Sequence, residues 1–459
     1  MLVKLDYSHP DNMSLDDYYT KVTGQPSVAD NLLSAMIHGI WGGDVSRISS
    51  RRDPFGHIHD RPALGRRWDS DRALVPSEDA ALFWEISWRL GAQTQKQRNC
   101  RWTNWTTHAS NASHISFEGG FSTLTTALEK QLERNPMVTL LKNEPVGSVR
   151  MHATNTIAIT SKGAARSMLY EKVISTINSQ TLASITGNKL PSLADSHAVT
   201  IRVVNLWYPT PGLNEPHRGF GYLIPKTVSH ELNPECALGV LFDSDREVLT
   251  QNSPDTVPGT KLTVLLGGHY WDDLPAELIP DSDQAIEMAK AVVARHLGIP
   301  KHENDRAVAS TKLCRECIPQ HYVGHWGRMA RARGEIKSAF GDSLAVAGPS
   351  YQMPGVLGSI RAARDIAFVL ARPDVVEQKE NDPNLAYLSL VGSTGLDRFF
   401  HPSTWIAGRK ANIPMRFPRE QSGLRKKSIM AGAYRFFKYD VSPLLRAFLR
   451  WREARREDK

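Results

Sequence analysis

The chain has little cysteine and no long hydrophobic run. Its four cysteines in 459 residues cannot form the disulfide framework of a small secreted domain, so the sequence favours a reducing compartment. No uninterrupted apolar stretch approaches the roughly 20 residues that cross a bilayer as a helix. The first residues also lack the pattern of a secretory or import signal. The sequence therefore predicts neither a disulfide-stapled domain nor a membrane-spanning helix.

Familiar catalytic motifs are absent as well. The sequence has no G-x-S-x-G elbow, no H-E-x-x-H zinc pair and no phosphate-binding P-loop. Cys314-Arg-Glu-Cys317 has the spacing of a metal or redox site, but no second pair is present to complete a zinc site. The residues alone therefore define no catalytic dyad and no metal centre.

The charge is uneven along an otherwise ordinary composition. Hydrophobic residues make up 41% and charged residues 23%, which is typical of a soluble protein with two or three domains. The net charge of +8 comes largely from the stretch after Arg409, which includes Arg425-Lys426-Lys427. This tail fits a solvated extension, an anionic membrane surface or non-specific nucleic-acid binding. We favour the solvated extension and expect no nucleic-acid partner.

Hydrophobic periodicity predicts a mixture of helices and strands. Helices are expected over 14–45, with Leu32, Met36 and Ile40 on one apolar stripe, and over 125–134 and 282–297. Strands are expected over 138–141, 156–160, 172–177, 198–209, 219–225, 237–243 and 261–268. Residues 344–371 are predicted to form a strand, a glycine-bearing turn and a helix. Such a turn directs backbone N–H groups outward, which suits a pyrophosphate or a flavin edge.

An ordered series of motifs points to a family. The series runs through His38-Gly-Ile-Trp-Gly-Gly-Asp44, Glu118-Gly-Gly-Phe-Ser-Thr-Leu124, Gly219-Phe-Gly-Tyr-Leu-Ile-Pro225 and Ala347-Gly-Pro-Ser-Tyr351. In this order and spacing, it resembles the protoporphyrinogen oxidases, which are flavin enzymes of haem synthesis related to the amine oxidases. The resemblance extends from about Asp16 to Ala367.

The resemblance implies an α+β fold with two amine-oxidase-like domains. These would be an incomplete Rossmann-like FAD domain and a substrate domain with a mixed β-sheet and helices. The expected division is a helical membrane- or substrate-associated region at 1–117, FAD-domain segments at 118–190 and 331–371, a substrate sheet at 191–330 and a basic extension at 372–459.

The same resemblance implies an activity and partners. It implies oxidation of protoporphyrinogen IX to protoporphyrin IX, in which FAD accepts hydride and dioxygen reoxidises the flavin. Because the cofactor carries the chemistry, no catalytic side chain is required. The implied setting is peripheral association with the mitochondrial inner membrane, with a homodimer as one possible assembly.

The resemblance also implies site residues. Gly39 would let the macrocycle approach the backbone, and the apolar walls of the substrate site would be Phe220, Leu223, Leu238, Leu241, Leu265 and Ile318. The flavin would lie against Gly119, Gly120, Val146, Trp326 and the turn Pro354-Gly355-Val356. Alternatives stay open: the wall residues also fit ordinary β-core packing, Gly39 fits a helix cap, and His38 fits a structural histidine as well as a substrate-side group.

One departure from the family is plain. The family begins with a strand–G-x-G-x-x-G–helix unit that binds the FAD pyrophosphate, and no such motif occurs here. About a hundred residues would have to precede Met1 to supply it. We therefore expect either a truncated product or a chain without flavin. The alternatives are a non-catalytic porphyrin- or partner-binding remnant and a related FAD-dependent amine oxidase.

Overall fold

The computed structural model describes residues 13–50, 117, 119–153, 155–246, 257–352, 354–371 and 391–399. These residues divide between two compact units. The larger unit holds the described residues of 13–50, 143–371 and 391–399, and the smaller unit holds those of 117–142. The predicted basic extension and most of the predicted N-terminal region lie outside the described residues.

The larger unit begins with two helices joined by a π-helical turn. Helix α1 (Leu15–Thr23) starts at Ser14, whose hydroxyl accepts the Asp17 N–H at 3.1 Å. The π-turn (Val28–Leu33) runs directly into α2 (Ser34–Trp41), which ends at Gly42 in the left-handed conformation. The helical prediction for 14–45 is confirmed in outline.

The predicted apolar stripe on this segment is wrong about which face is buried. Leu32 and Ile40 are 51% and 52% exposed, whereas Leu33 and Ile37 pack against α1 and Val45. Two neighbouring apolar stripes share the same four-residue spacing, so periodicity alone could not choose between them. The exposed stripe is left on the surface of the described chain.

The smaller unit contains one long helix. Helix α3 (Ser122–Glu133) confirms the helix expected over 125–134, and Lys142 folds back to pair with Glu129 and Glu133. The strand expected over 138–141 is wrong, because these residues form coil in the described unit. Leu141 is 51% exposed, and among the described residues no strand pairs with this segment.

Two small sheets follow in the larger unit. Strands β1 (Val146–Ala153), β2 (Thr156–Ser161) and β3 (Met168–Tyr170) form an antiparallel sheet in that order. Strand β4 (Val173–Ser175) instead pairs in parallel with a much later strand, Leu344–Val346. Short helices α4 (Ser179–Ile185) and α5 (Pro191–Ala194) then lead to the main sheet.

The main sheet has five antiparallel strands. They are β5 (His197–Tyr208), β6 (Gly221–Leu223), β7 (Ala237–Phe242), β8 (Thr260–Gly267) and β9 (Val308–Gln320), in the order β6-β7-β8-β5-β9. The first four confirm the predicted strand block. Helix α6 (Asp243–Arg246) follows β7, and 3-10 turns at Gly268–Trp271 and Ala276–Leu278 follow β8.

A long helix covers one face of this sheet. Helix α7 (Ser282–Leu297) has the predicted bounds, a capping box between Asp281 and Gln284, and left-handed Gly298 at its end. Its alanines and valines pack on Val204, Leu206 and Tyr208 of β5 to form the largest core cluster. Small residues on the helix allow this close approach. Helix α8 (Lys301–Arg306) connects α7 to β9.

The last elements complete a second core. Helix α9 (His325–Phe340), strand β10 (Leu344–Val346), helix α10 (Val356–Ala371) and a 3-10 turn at Asp397–Phe399 follow β9. The core joins α9 and β10 to β1, β2, α4 and α5. The Arg333 guanidinium ties α9 to Asp397 at 2.6 Å. The strand–turn–helix expected over 344–371 is therefore confirmed.

The architecture confirms the α+β class. It combines helices with a five-stranded antiparallel sheet and two small sheets, one antiparallel and one parallel. Within the described ranges, no helix combines the length and apolar character that crossing a bilayer demands.

Candidate functional site

The main-sheet face opposite α7 is apolar at one end. Paired residues of an antiparallel sheet share a face, and here Leu223 pairs with Gly239, Gly239 with Leu265, and Leu265 with Val203. Leu241 lies two residues beyond Gly239 and therefore on the same face. Ile318 and Leu238 pack into the same cluster, around Val199 and Ile201. We call this surface the apolar face.

The apolar face brings together five of the six predicted wall residues. Leu223, Leu241, Leu265 and Ile318 are half-buried there, while Leu238 is fully buried. Phe220 precedes β6 and has a 57% exposed side chain, so the structure sets it apart from the other five. Side-chain parity along the strands accounts for this grouping, and no larger motif is needed. Their role in binding a substrate stays a prediction.

Helix α2 lies against this face through glycines. A Cβ on Gly39 would be 2.0 Å from Leu223 Cδ2, so only glycine fits there without displacing that leucine. Gly39 lies inside α2, and the helix cap is Gly42, so the cap alternative for Gly39 is wrong. At the helix end, the His269 N–H donates to Gly42 O at 2.7 Å. The space beside Gly39 is filled by Leu223.

Three rings form a neutral cluster beside α2. The His38 side chain is 1% exposed, its Nδ1–H donates to Ile224 O at 2.9 Å, and its ring lies 4.5 Å from that of His269. The His269 ring is in turn 4.1 Å from that of Tyr270. Burial, aided by the neighbouring His269, lowers the pKa of His38 to about 4. His38 is therefore uncharged near neutral pH and fits the structural alternative better than a cationic substrate anchor.

A charged network fixes the loop after α2. The Asp272 carboxylate accepts hydrogen bonds from Arg47 and His197 at 2.8 Å and from Tyr322 at 3.0 Å. Burial alone would raise the pKa of Asp272, but these hydrogen bonds and the Arg47 charge outweigh it and lower that pKa. The four residues are far apart in sequence, and sequence reasoning missed them. They tie the α2 loop, β5, the 3-10 turn and the end of β9 together.

The same sheet face is polar at its other end. An open depression of about 380 Å³ lies there, and its lining includes Asn205, Trp207, Asp243, Lys261, Thr263 and Ser310. The Thr263 hydroxyl is 2.6 Å from the Asp243 carboxylate and 2.8 Å from the side-chain oxygen of Asn205. No predicted wall residue lines this depression within the described chain. The face therefore changes from apolar to polar along the strands.

The predicted flavin-side turn is exposed at Gly355, and two stacked histidines contact the backbone that precedes it. Gly355 has φ 111°, and a Cβ there would meet no described atom within 4 Å. The His321 and His325 rings stack at 3.9 Å, and their Nε2 atoms lie 3.0 Å from Pro349 O and 3.4 Å from Tyr351 O. Val356, 41% exposed, begins α10, whose first N–H groups have no acceptor within the helix. A flat ring with acceptor atoms fits such a turn.

The other predicted flavin residues lie in different surroundings. Val146 begins β1 and Trp326 lies in α9, and both are half-buried against the second core, where Trp326 meets Phe399 at 4.8 Å. Gly119 and Gly120 belong to the smaller unit and have φ 76° and 84°. Their positive φ angles show that the turn before α3 needs glycine. Pro354 is half-buried before Gly355. The flavin contacts of these residues stay predictions.

Comparison with known proteins relates the chain to flavin enzymes. Protoporphyrinogen oxidase of Schizosaccharomyces pombe is 26% identical over 333 residues, which are 71% of this chain and 61% of that protein. The Homo sapiens protoporphyrinogen oxidase is 28% identical over 357 residues, or 74% of this chain and 65% of that protein. The chain thus spans less than two thirds of the length of either relative.

A solved structure and a family profile agree on the fold. A protein from Exiguobacterium sp. 255-15, provisionally assigned as a protoporphyrinogen oxidase, superposes with a TM-score of 0.53 at 16% identity, covering 81% of this chain and 70% of that one. At that identity the likeness bears on the fold alone. The profile of flavin containing amine oxidoreductases matches residues 54–367, which is more than half of the chain. The chain therefore belongs to the flavin-containing amine oxidoreductase family.

Proposed function

We propose that this chain oxidises protoporphyrinogen IX to protoporphyrin IX with FAD as cofactor and dioxygen as terminal oxidant. The observation that carries the proposal is the apolar face, where five of the six wall residues that the family resemblance implies lie together on one sheet. The names of the two relatives support the same substrate. When bound, the flavin supplies hydride acceptance.

The protein residues then position the substrate and exclude water. An oily macrocycle requires apolar walls with few polar groups, and Leu223, Leu241 and Leu265 offer such a surface. The neutral state of His38 keeps a charge away from the wall that Leu223 forms with α2. The polar end of the sheet face is suited to the carboxylate-bearing edge of a porphyrinogen, with Lys261 among its lining residues.

The cofactor proposal assigns two groups of residues. Pro354, Gly355, Val356 and Trp326 would lie near the isoalloxazine, and Val146 near the adenine. Gly119 and Gly120 are further residues that we propose for cofactor binding. The open turn at Gly355 and the family membership support a flavin at this place. That the flavin is FAD is our proposal.

The setting is proposed from the same relationship. We propose peripheral association with the mitochondrial inner membrane, with dioxygen and a porphyrinogen as small-molecule partners, a homodimer as the assembly and no nucleic-acid partner. Flotation of the chain with cardiolipin-containing vesicles, compared with neutral vesicles, tests the membrane part. Equal recovery with both vesicle types would count against it.

The activity is tested on the purified chain. The proposal expects visible flavin bands, release of FAD on denaturation, and growth of protoporphyrin fluorescence when protoporphyrinogen IX and dioxygen are supplied. Primary amines serve as the control substrates, and we expect no turnover of them. Porphyrin binding without any flavin signal would indicate a non-catalytic binding protein instead, and amine turnover would indicate an amine oxidase.

A further inference from the structure

Strand β9 carries a β-bulge with two extra residues at its cysteine pair. Val199 of β5 pairs with Ile318 and Ile201 pairs with Cys314, so β5 advances two residues while β9 advances four. Glu316 takes up the excess with φ 45°, in the left-handed region. Its N–H donates to the Thr200 hydroxyl at 3.2 Å, which anchors the bulge on β5. Three residues of β9, from Arg315 to Cys317, thus face the single β5 residue Thr200, which is an excess of two.

The pairing sets the distance between the cysteines. A strand rises about 3.3 Å per residue, so the Cα atoms of Cys314 and Ile318 face a β5 segment only about 6.6 Å long. Cys317 directly precedes Ile318 in this β9 segment, which is shortened because four residues span the length of two. Its Cα can therefore lie within about 4.4–6.8 Å of that of Cys314, the range that a disulfide bridges. An undistorted strand would separate residues three apart by about 10 Å.

Both cysteines lie against the Val199–Ile201 segment of β5. Cys317 Sγ lies 3.6 Å from Val199 O, beside the residue pair that Cys314 forms with Ile201. Partial desolvation raises the pKa of the Cys317 thiol, and the neighbouring Cys314 adds to that rise, while the Cys317 residue as a whole is exposed to solvent. Both are unpaired thiols in this structure. Among the described residues, no group of three metal-ligating side chains exists to make the pair a metal centre.

We propose that Cys314 and Cys317 form a redox-modification site, in which peroxide converts the two thiols into a disulfide across the bulge. One thiolate attacks an oxygen of hydrogen peroxide, which breaks the O–O bond and, with one proton, yields a sulfenic acid and water. The second thiol attacks that sulfur, the S–S bond forms, and a second water leaves. In sum, two thiols and one peroxide give one disulfide and two waters.

The site flanks the apolar face. Cys314 shares the strand face of Ile201, and Cys317 directly precedes Ile318, which packs in the same cluster. Oxidation therefore fixes the backbone at one edge of the apolar face. The inference goes beyond the proposed function and does not depend on it, because peroxide is added in the test and turnover is never measured.

Trypsin mapping of the full-length chain tests the proposal. The folded, reduced protein is treated with one equivalent of hydrogen peroxide, alkylated under denaturing conditions and digested. Trypsin cuts after Lys312 and Arg315, so the disulfide yields a crosslinked pair of peptides, 313–315 and 316–328, that dithiothreitol separates. We expect this pair in wild type and in Cys236→Ser, with the number of titratable thiols falling by two.

The single variants sharpen the outcome. In Cys317→Ser the crosslinked pair should vanish, and dimedone should label Cys314 after peroxide treatment. A disulfide joining either residue to Cys100 or Cys236 would overturn the proposal. So would oxidation of both thiols to sulfinic acid without a crosslink, or an unmodified pair under conditions where the denatured chain reacts.

Discussion

Single side chains decide how α2 meets the main sheet. Leu223 fills the space that a side chain at position 39 would occupy, and its Cδ2 would lie 2.0 Å from that Cβ. Interiors are packed too closely to absorb such an overlap without moving a neighbour. The glycine is therefore a packing requirement, since residue 39 lies in ordinary helix and needs no unusual φ.

Gly39→Ala should destabilise the protein, although alanine favours helix by about 1 kcal/mol. Overpacking against Leu223 costs about 1–3 kcal/mol and outweighs that gain. In a Leu223→Ala background the clash is gone, so the same change should become neutral or stabilising. Urea unfolding of the four proteins in this double-mutant cycle measures the coupling. A similar effect of Gly39→Ala in both backgrounds would refute the packing argument.

The pKa of His38 makes stability depend on pH. Its folded pKa of about 4 lies below the ordinary 6.5, so the unfolded chain binds a proton more readily. Stability should therefore fall as pH drops from about 6.5 towards 4, by up to about 3 kcal/mol from this group. The buried His269 shifts in the same direction and adds to the trend.

His38→Gln keeps a donor for Ile224 O but cannot titrate. We expect the pH dependence of the unfolding free energy between pH 4 and 6.5 to flatten in this variant, without disappearing, because His269 remains. Equilibrium denaturation at stepped pH measures the slope. An unchanged slope would show that His38 does not lose its proton on burial.

Sequence reasoning at the residue scale took Leu223, Leu241 and Leu265 from the family resemblance, since strand alternation alone fitted ordinary β-core packing. It could not foresee Asp272 with Arg47, His197 and Tyr322, since only tertiary structure brings those four residues together. Nor could it tell the exposed Leu32 from the buried Leu33.

At the scale of elements, the errors occur where local sequence patterns do not report tertiary contacts. Strand β9 and helix α9 were not predicted, because β9 is a polar edge strand and α9 is rich in arginine and glycine. Residues 138–141 have the apolar composition of a strand, but no strand within the described ranges pairs with them. Helix α7 was predicted with its bounds because its caps and its apolar period are both local signals.

The docking of α2 offers a matched pair of variants. Gly268 and Gly298 have nearly equal φ, 62° and 70°, but a Cβ on Gly268 would lie 2.4 Å from Gly42 O, whereas one on Gly298 meets no described atom. Gly298→Ala should cost about 1 kcal/mol from backbone strain alone. Gly268→Ala should cost about 1–3 kcal/mol more, since the end of α2 must move.

Thermal or urea unfolding of the two alanine variants gives the difference directly. A larger loss in Gly268→Ala, accompanied by faster proteolysis near residue 42, is the expected pattern. Equal losses in the two variants would mean that the α2 contact contributes nothing beyond the strain of the turn.

At the scale of the whole molecule, the main sheet has two unlike faces. One face packs against α7 and contributes to the largest described core cluster. The other face carries half-buried leucines at one end and a polar depression at the other. An ordered series of short motifs was enough to predict the family, because each motif marks a turn or close contact that the fold needs. The side-chain contacts between distant segments could not be predicted from the same motifs.

Changing the apolar face should impair substrate binding more than stability. We expect Leu241→Gln to raise KM for protoporphyrinogen about tenfold, since losing one apolar contact weakens binding by about 1–2 kcal/mol. The flavin spectrum should stay unchanged. Leu278→Gln, at a leucine 64% exposed on a 3-10 turn, is the matched control and should keep the wild-type KM. Equal effects of the two variants on KM would show that the apolar face does not bind the substrate.

The parallel pairing of β4 with β10 constrains the order in which the nascent chain acquires structure. Residues 173–175 emerge from the ribosome long before their partners at 344–346, and the entire five-stranded sheet is synthesised in between. Within the described chain the strands of that sheet pair with one another, so the sheet can form while the hydrogen-bonding groups of β4 are still unpaired. A polypeptide truncated between residues 321 and 343 would therefore contain the complete five-stranded sheet together with β4, which lacks its partner β10. Such an unpaired strand is a binding site for chaperones.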